Sequence, residues 1–230
     1  MIVPARSKSK RVPNKNVRLL GSEPLVVRTL KVSVSCGIPT LFTTDSEKYI
    51  DIVRGYLGDD VEYELRPAEM ATDNTRVVEE VARICVDRDF YATDTVGVML
   101  PTSPFRSAKS LLSAINMNRK TGRGVFSAAK YGFPINFAFE HESHPKDGQS
   151  WKPIFASGSP MISGNTRSQD QAEAYHPTGA IYIFKYCDFK DDKNFYKNAD
   201  PLILEGKECI DIDDEMDFTV ATALLSEDDC

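Results

Sequence analysis

The 230-residue chain has five cysteines, Cys36, Cys85, Cys187, Cys209 and Cys230, but no C-x-x-C pair. So odd and widely spaced a set argues against a disulfide framework and against a zinc site, and it predicts reduced thiols in a cytosol. No apolar run is long enough to cross a bilayer and nothing resembles a secretory signal, so the expectation is a cytoplasmic protein without a membrane partner. Positive charge is not in excess. The formal net charge is −6 and acidic residues gather around 205–229, which disfavours nucleic acid as a partner, because that mode needs a broad positive face to displace counterions. There is no internal repeat and no low-complexity tract.

The 41% of hydrophobic residues suffices for one α/β domain of this length. Short apolar runs, Ile2-Val3, Thr40 to Thr44 and Val96 to Leu100, alternate with amphipathic stretches at 24–36, 46–58, 76–88 and 108–119. That alternation predicts βαβ crossovers on a Rossmann-like, mostly parallel sheet with helices on both faces. Further strands are expected at Val125 to Ala129 and Ala180 to Phe184, and a strand plus helix from Ile210 to Leu225. Pro24 suits a first helical turn, Gly37 a helix stop, Asp45-Ser46 a cap for the second helix, and Ser107 or Ser110 a cap for the fourth. Segment 132–178 breaks the rhythm: it is rich in Pro, Gly, Ser and His and carries the single tryptophan, Trp151. It is too long for an ordinary connection, so it reads as a mobile lid, or as an arm burying Phe133, Phe137, Phe139, Trp151 and Phe155 against a second subunit.

Two segments carry the strongest chemistry. Residues 6–16 hold five cations, Arg6, Lys8, Lys10, Arg11 and Lys15, with Asn14 and Asn16, directly after the first apolar run. A strand end that delivers Arg6, Lys10 and Lys15 into one turn-rich loop can offset the charge of a nucleoside triphosphate; the alternative is a solvated basic tail. In Glu208 to Asp217, Asp211 and Asp213 flank Ile212, so on a strand both project from one face and can bind one Mg²⁺ together with phosphate oxygens. Asp213 or Asp214 could instead cap the helix that follows. Two stiff segments are weaker signals. In Leu65-Arg66-Pro67-Ala68-Glu69, Arg66 could reach a ligand or pair with Glu69. In Leu100-Pro101-Thr102-Ser103-Pro104-Phe105-Arg106, the loop follows a buried strand, where open α/β sheets bind ligands.

In order, Pro4-Ala5-Arg6, Ser9 to Asn16, Leu65 to Asp73, Pro101 to Arg106, Thr178 to Ile183 and Ile210 to Asp217 resemble the motifs of the sialic-acid cytidylyltransferases, the CMP-N-acetylneuraminate synthetase family. The resemblance covers most of the chain. It implies one nucleotidyltransferase domain over 1–230, with 132–178 an inserted dimerisation arm or lid, and transfer of CMP from CTP to the anomeric hydroxyl of a nine-carbon 2-keto sugar acid. It implies that Lys15, Asp211 and Asp213 are catalytic, with Asp211 and Asp213 holding Mg²⁺. Arg6, Lys10 and Asn16 would hold CTP, Arg66 would support the nucleotide, and Ser103, Gln169, Thr178 and Tyr182 would lie toward the sugar acid. The implied partners are CTP, the sugar acid and a second copy of the chain.

Departures from the family pattern cluster on the acceptor side. Leu100 stands where a glutamine is usual, Thr178 replaces an asparagine, the arginine before Gln169 is shifted or lost, and Asn74 to Val77 lacks a serine run. The acceptor is therefore expected to be N-acetylneuraminic acid or a relative such as legionaminic or pseudaminic acid. A metal-dependent nucleotide-sugar glycosyltransferase using Asp211-Ile212-Asp213, and a non-catalytic CTP-binding relative, are the competing readings.

Overall fold

The structure, a computed structural model, describes residues 1–72, 75–143, 150–155 and 158–226, the side chains of 68 and 69 excepted. The expectations that fall on Glu69, Asp73, Asn74, Cys230 and the 144–149 and 156–157 parts of the excursion lie outside the described residues. In chain order the elements are β1 (Ile2–Pro4), β2 (Leu19–Leu20), β3 (Glu23–Pro24), α1 (Leu25–Ser35), β4 (Leu41–Thr44), α2 (Glu47–Leu57), β5 (Glu62–Leu65), α3 (Val77–Asp87), β6 (Thr95–Val98), α4 (Ala108–Thr121), β7 (Gly124–Lys130), β8 (Phe139–His141), β9 (Trp151–Pro153), α5 (Pro160–Ser163), β10 (Tyr175–Lys185), α6 (Tyr186–Phe189), β11 (Ala199–Ile203) and α7 (Glu215–Ser226). They fall into two compact units, Met1–Ala128 with Pro177–Cys230, and Ala129–His176.

The first unit is built on a seven-stranded sheet of order β11-β7-β10-β6-β1-β4-β5. β6, β1, β4 and β5 run parallel, β11 runs parallel to β7, and β10 is antiparallel to β6. Strand periodicity of two sorts the side chains between two cores. Val3, Phe42, Ile181 and Ile183 pack on one face with Val26, Leu30, Val53 and Leu111 from α1, α2 and α4. Ile2, Leu41, Tyr182 and Phe184 pack on the other with Val81, Ile84 and Cys85 of α3 and Phe189 of α6. Helices thus cover both faces.

The helix stops and starts follow local chemistry. Gly37, at φ 67, ends α1 as its N–H bonds Val34 O while that of Ile38 bonds Ser33 O. Ser107 caps α4, its Oγ accepting from Ser110 N, and Gly122 closes the helix in the left-handed region. Ser46 starts α2 without a side-chain cap, because the neighbouring Asp45 carboxylate receives Ser7 N and Oγ, each at 2.7 Å.

One expectation is corrected, and two strands stand beyond those expected. β5 and β11 were not foreseen, since both are edge strands without an apolar run; Pro201 in β11 is tolerated there because an edge strand needs no second ladder. Residues 210–213 form no strand: a 3-10 turn at Gly206–Cys209 leads into extended chain, held by Ile212 N donating to Thr102 O at 2.8 Å.

The second unit contains the antiparallel ribbon β8/β9, with Phe139 and Trp151 rings edge-on at 5.9 Å. Asn136 Nδ2 donates to Gln171 Oε1, and Lys130 pairs with Glu173. Phe133, Phe139, Ile154, Phe155, Ile162 and Tyr175 are exposed.

At Gly124 an added Cβ would stand 2.5 Å from the Phe184 ring, which is itself stacked on Phe195 at 4.8 Å. Gly124→Ala should therefore destabilise the first unit by about 1–3 kcal/mol, as overpacking does. A urea melt with unchanged midpoint would contradict this.

Candidate active site

The chain leaves β1 for β4 and β5 on one side and returns to β6 on the other, so the loops after β1 and β6 face each other across a topological switch point, the place where open α/β sheets bind ligands. A cavity of about 460 Å³ lies there, lined by Arg6, Lys10, Arg11, Lys15, Arg66 and Arg76 among others, with Pro101 and Thr102 from the loop after β6.

The loop after β1 is held by its uncharged members. Val12 is fully buried, Asn14 turns the chain at φ 53, and Tyr49 Oη donates to Ser7 O at 3.2 Å. Asn16 is buried and donates to Arg6 O at 2.9 Å, which fixes the loop from within while the residue still lines the cavity. Lys15, in the 3-10 turn Lys15–Val17, is nearly buried and donates to Ile212 O at 2.6 Å. Its Nζ also lies 3.5 Å from Asp213 Oδ1, which accepts from Arg11 Nη2 at 2.8 Å. The cation loop and the aspartate segment, 197 residues apart, therefore meet.

Asp211 and Asp213 have different neighbours. Loss of hydration raises the Asp211 carboxyl above its ordinary range; a hydrogen bond from Thr102 opposes this, the Asp213 charge adds to it, and Lys15 and Arg106 oppose it. Two carboxylates whose mutual repulsion already shows, beside a cavity wide enough for phosphates, make a donor set that fits one hard divalent cation. Asp214 is the helix cap: its Oδ1 accepts from Met216 N at 2.8 Å and Asp217 N at 3.0 Å, while Asp217 Oδ2 receives the N–H groups of Asp213 and Asp214.

The remaining predicted residues divide between two roles. Arg66 is buried beneath the cavity, and its Nε has no hydrogen-bond partner among the described residues. Burial lowers its pKa, with Glu80 and Asp45 opposing. Ser103 is buried and turned inward, Oγ donating to Thr178 O at 3.3 Å and approaching Asp211 Oδ1 at 3.5 Å. Thr178 Oγ1 donates to Ser127 Oγ at 2.7 Å, so the Ser103 hydroxyl ties the loop to β10 and that of Thr178 ties β10 to β7. Tyr182 lines a second cavity of about 410 Å³, its Oη 3.2 Å from that of Tyr196, and burial raises its pKa. Gln169 belongs to the second unit, in the turn Ser168–Asp170.

Sequence reasoning gave no role to Arg11, Glu80 or Arg106. Glu80 is buried, accepting from Thr43 Oγ1 at 3.2 Å and from Arg83. Arg106 is buried against the carbonyls of Ser103 and Leu100, and desolvation lowers its pKa to about 9, with Asp211 opposing. The signal for Arg11 was its place in the cation run; Glu80 carried none, since Thr43 reaches it from another element.

Residues 1–194 match the family described as Cytidylyltransferase. The chain belongs to the cytidylyltransferase family. It is 29% identical to the CMP-N,N'-diacetyllegionaminic acid synthase of Legionella pneumophila, over 97% of this chain and 94% of that one. It is 28% identical to the N-acylneuraminate cytidylyltransferase of Escherichia coli, over 97% of this chain but 51% of that protein, so it spans about half of that relative. It is 25% identical to the pseudaminic acid cytidylyltransferase of Campylobacter jejuni, over 97% and 94%. Among solved structures, a CMP:2-keto-3-deoxy-manno-octonic acid synthetase complexed with CTP superimposes with a TM-score of 0.67 at 12% identity, covering 99% of this chain and 98% of that one. A match at this identity shows that the two share a fold.

Two predictions separate cap from site in this cytidylyltransferase. Asp214→Ala should cost about 1 kcal/mol of stability, as cap removal does, and leave turnover intact. Because Asp211 titrates above its unfolded value, its ionisation on raising the pH removes stability that is fully present below the ordinary carboxyl pKa. Asp211→Asn should thus be more stable than the parent at neutral pH, and the gain should close in acid. Denaturant melts across pH 3–8 check both; a gain that persists at the acid end contradicts the second.

Proposed function

We propose that the protein transfers CMP from CTP to the anomeric hydroxyl of a nine-carbon 2-keto sugar acid, with release of pyrophosphate. The observation that carries this reading is the junction of Lys15, which lines the cavity with the other cations of the first loop, with Ile212 O and Asp213, which brings the aspartate segment up behind that cavity. Cytidylyltransferases of this kind generally depend on a divalent metal, and the reading here is Mg²⁺ held by Asp211 and Asp213. The named relatives act on legionaminic, N-acylneuraminic and pseudaminic acids, which supports an acceptor of that class.

The hydroxyl gives up its proton to a base such as Asp211, and its oxygen forms a bond to the α-phosphorus as the bond from that phosphorus to the α,β-bridging oxygen breaks and pyrophosphate leaves with the electron pair. Negative charge spreads over the phosphoryl oxygens, and Lys15, Arg6 and Lys10 are placed to meet it. Bound at the aspartates, the metal would supply further neutralisation of phosphate charge. Arg66 lies under the cavity, where a nucleotide would stack on the loop that follows β5. The second cavity, with the rings of Tyr182, Phe195 and Tyr196, is the acceptor's place. Ser103 and Thr178 act as positioning groups for the loop beside it. A nucleotide-sugar glycosyltransferase would need fewer cations than the first cavity carries. The exposed apolar side chains of the second unit, which also holds Gln169 in its turn, support 132–178 as an arm or lid within the 1–230 domain that joins two copies into a homodimer. Among the described residues no helix is long and apolar enough to cross a membrane, which is compatible with a cytoplasmic setting.

With CTP, Mg²⁺ and a panel of nine-carbon 2-keto acids, pyrophosphate and a CMP-sugar mass should both appear. Lys15→Ala should reduce the rate on the order of 10²–10³-fold, as loss of one preorganised donor does. Asp211→Ala or Asp213→Ala should remove it. Full activity in either aspartate variant would defeat the metal role.

A further inference from the structure

The two cavities meet along a shared wall made by Arg76, Val77 and Leu100. Leu100 and Val77 offer no donor at this wall. Leu100 is fixed in place by Gly179, where φ is +75 and an added Cβ would stand 2.9 Å from Leu100 Cδ1. Arg76 is therefore the charged member of the wall. It sits at the start of α3 with its side chain 61% exposed, tethered by Nε and Nη2 to Glu79 Oε1 at 2.9 and 2.8 Å. Glu79 also feels the charge of Lys193, a second cation on the rim of the further cavity. The wall between the two cavities thus carries a guanidinium, tethered to Glu79, that lines both.

Resting on the acceptor reading above, we propose that Arg76 is a specificity-determining residue that binds the carboxylate of the 2-keto sugar acid. In such an acid the anomeric carbon bears both the attacking hydroxyl and the carboxylate. When the hydroxyl points at the α-phosphorus, the carboxylate, bonded to the same carbon, must lie against the shared wall. Brought there unpaired, it would face the charge of the triphosphate. A guanidinium at that point removes the repulsion and grips the carboxylate through paired N–H donors, which a neutral aldose cannot use.

The test compares the parent with Arg76→Gln and Arg76→Lys, using steady-state pyrophosphate release and two forms of the best acceptor, the free acid and its methyl ester. The free acid should lose about tenfold to a hundredfold in kcat/KM in Arg76→Gln through KM, the range expected for a charge-assisted hydrogen bond, with part of the loss restored in Arg76→Lys. KM for CTP should stay within about twofold, and it reports that the site is still folded. The penalty for esterification, large in the parent, should nearly vanish in Arg76→Gln, because the group that reads the charge is gone. An unchanged acceptor KM, or an ester penalty equal in parent and variant, overturns the role of Arg76 while turnover itself upholds the proposed function. A rise in CTP KM as large as that for the acid also overturns it, assigning Arg76 to the triphosphate. If the parent releases no pyrophosphate with any acid of the panel, the proposed function falls, and this inference falls with it.

Discussion

Six like charges around one cavity are the constraint on which the rest of the first unit depends. Arg6, Lys10, Arg11, Lys15, Arg66 and Arg76 repel one another, and only a fold that is stable for other reasons can hold them close. The sheet supplies that stability through two apolar cores, one on each face, and the cationic loops hang from the same edge of it. Carboxylates take part of the charge: Asp213 pairs with Arg11 and lies 3.5 Å from Lys15, and Glu79 pairs with Arg76. So many cations converging on one cavity suit an anionic ligand better than they suit a solvated face.

The aspartate segment follows the same logic with the sign reversed. Asp213 is neutralised in part by Arg11 and Lys15, whereas Asp211 is left with its proton held more tightly than is ordinary. Replacing it with a neutral isostere is expected to relieve that cost, the mark of a site kept less stable than it could be.

Much of this was legible in the sequence because it obeys local periodicity. Helices α1 to α4 declared themselves through amphipathic spacing and end signals such as Gly37 and Ser107; Asp211 stood out by alternating with Ile210 and Ile212, although the strand that alternation suggested is extended chain. What stayed hidden depended on distant partners. Asp45 looked like a helix cap but is bound to Ser7, which lies 38 residues away. Glu80 looked like an ordinary helix carboxylate until the sheet brought Thr43 to it. The edge strands β5 and β11 have only one neighbour each and so never acquired the apolar runs that mark central strands. Asp213 and Asp214 were indistinguishable as letters; the turn into α7 assigns capping to the second.

The acceptor for Lys15 is a main-chain oxygen, that of Ile212. No substitution at position 212 can delete that oxygen, so the clasp between the two ends of the chain is invisible to selection on side chains there, beyond the demand for something apolar that fills the buried space. Divergence could therefore reshape the surroundings of the nucleotide while the clasp stayed closed, and a survey of side-chain identities alone would overlook it.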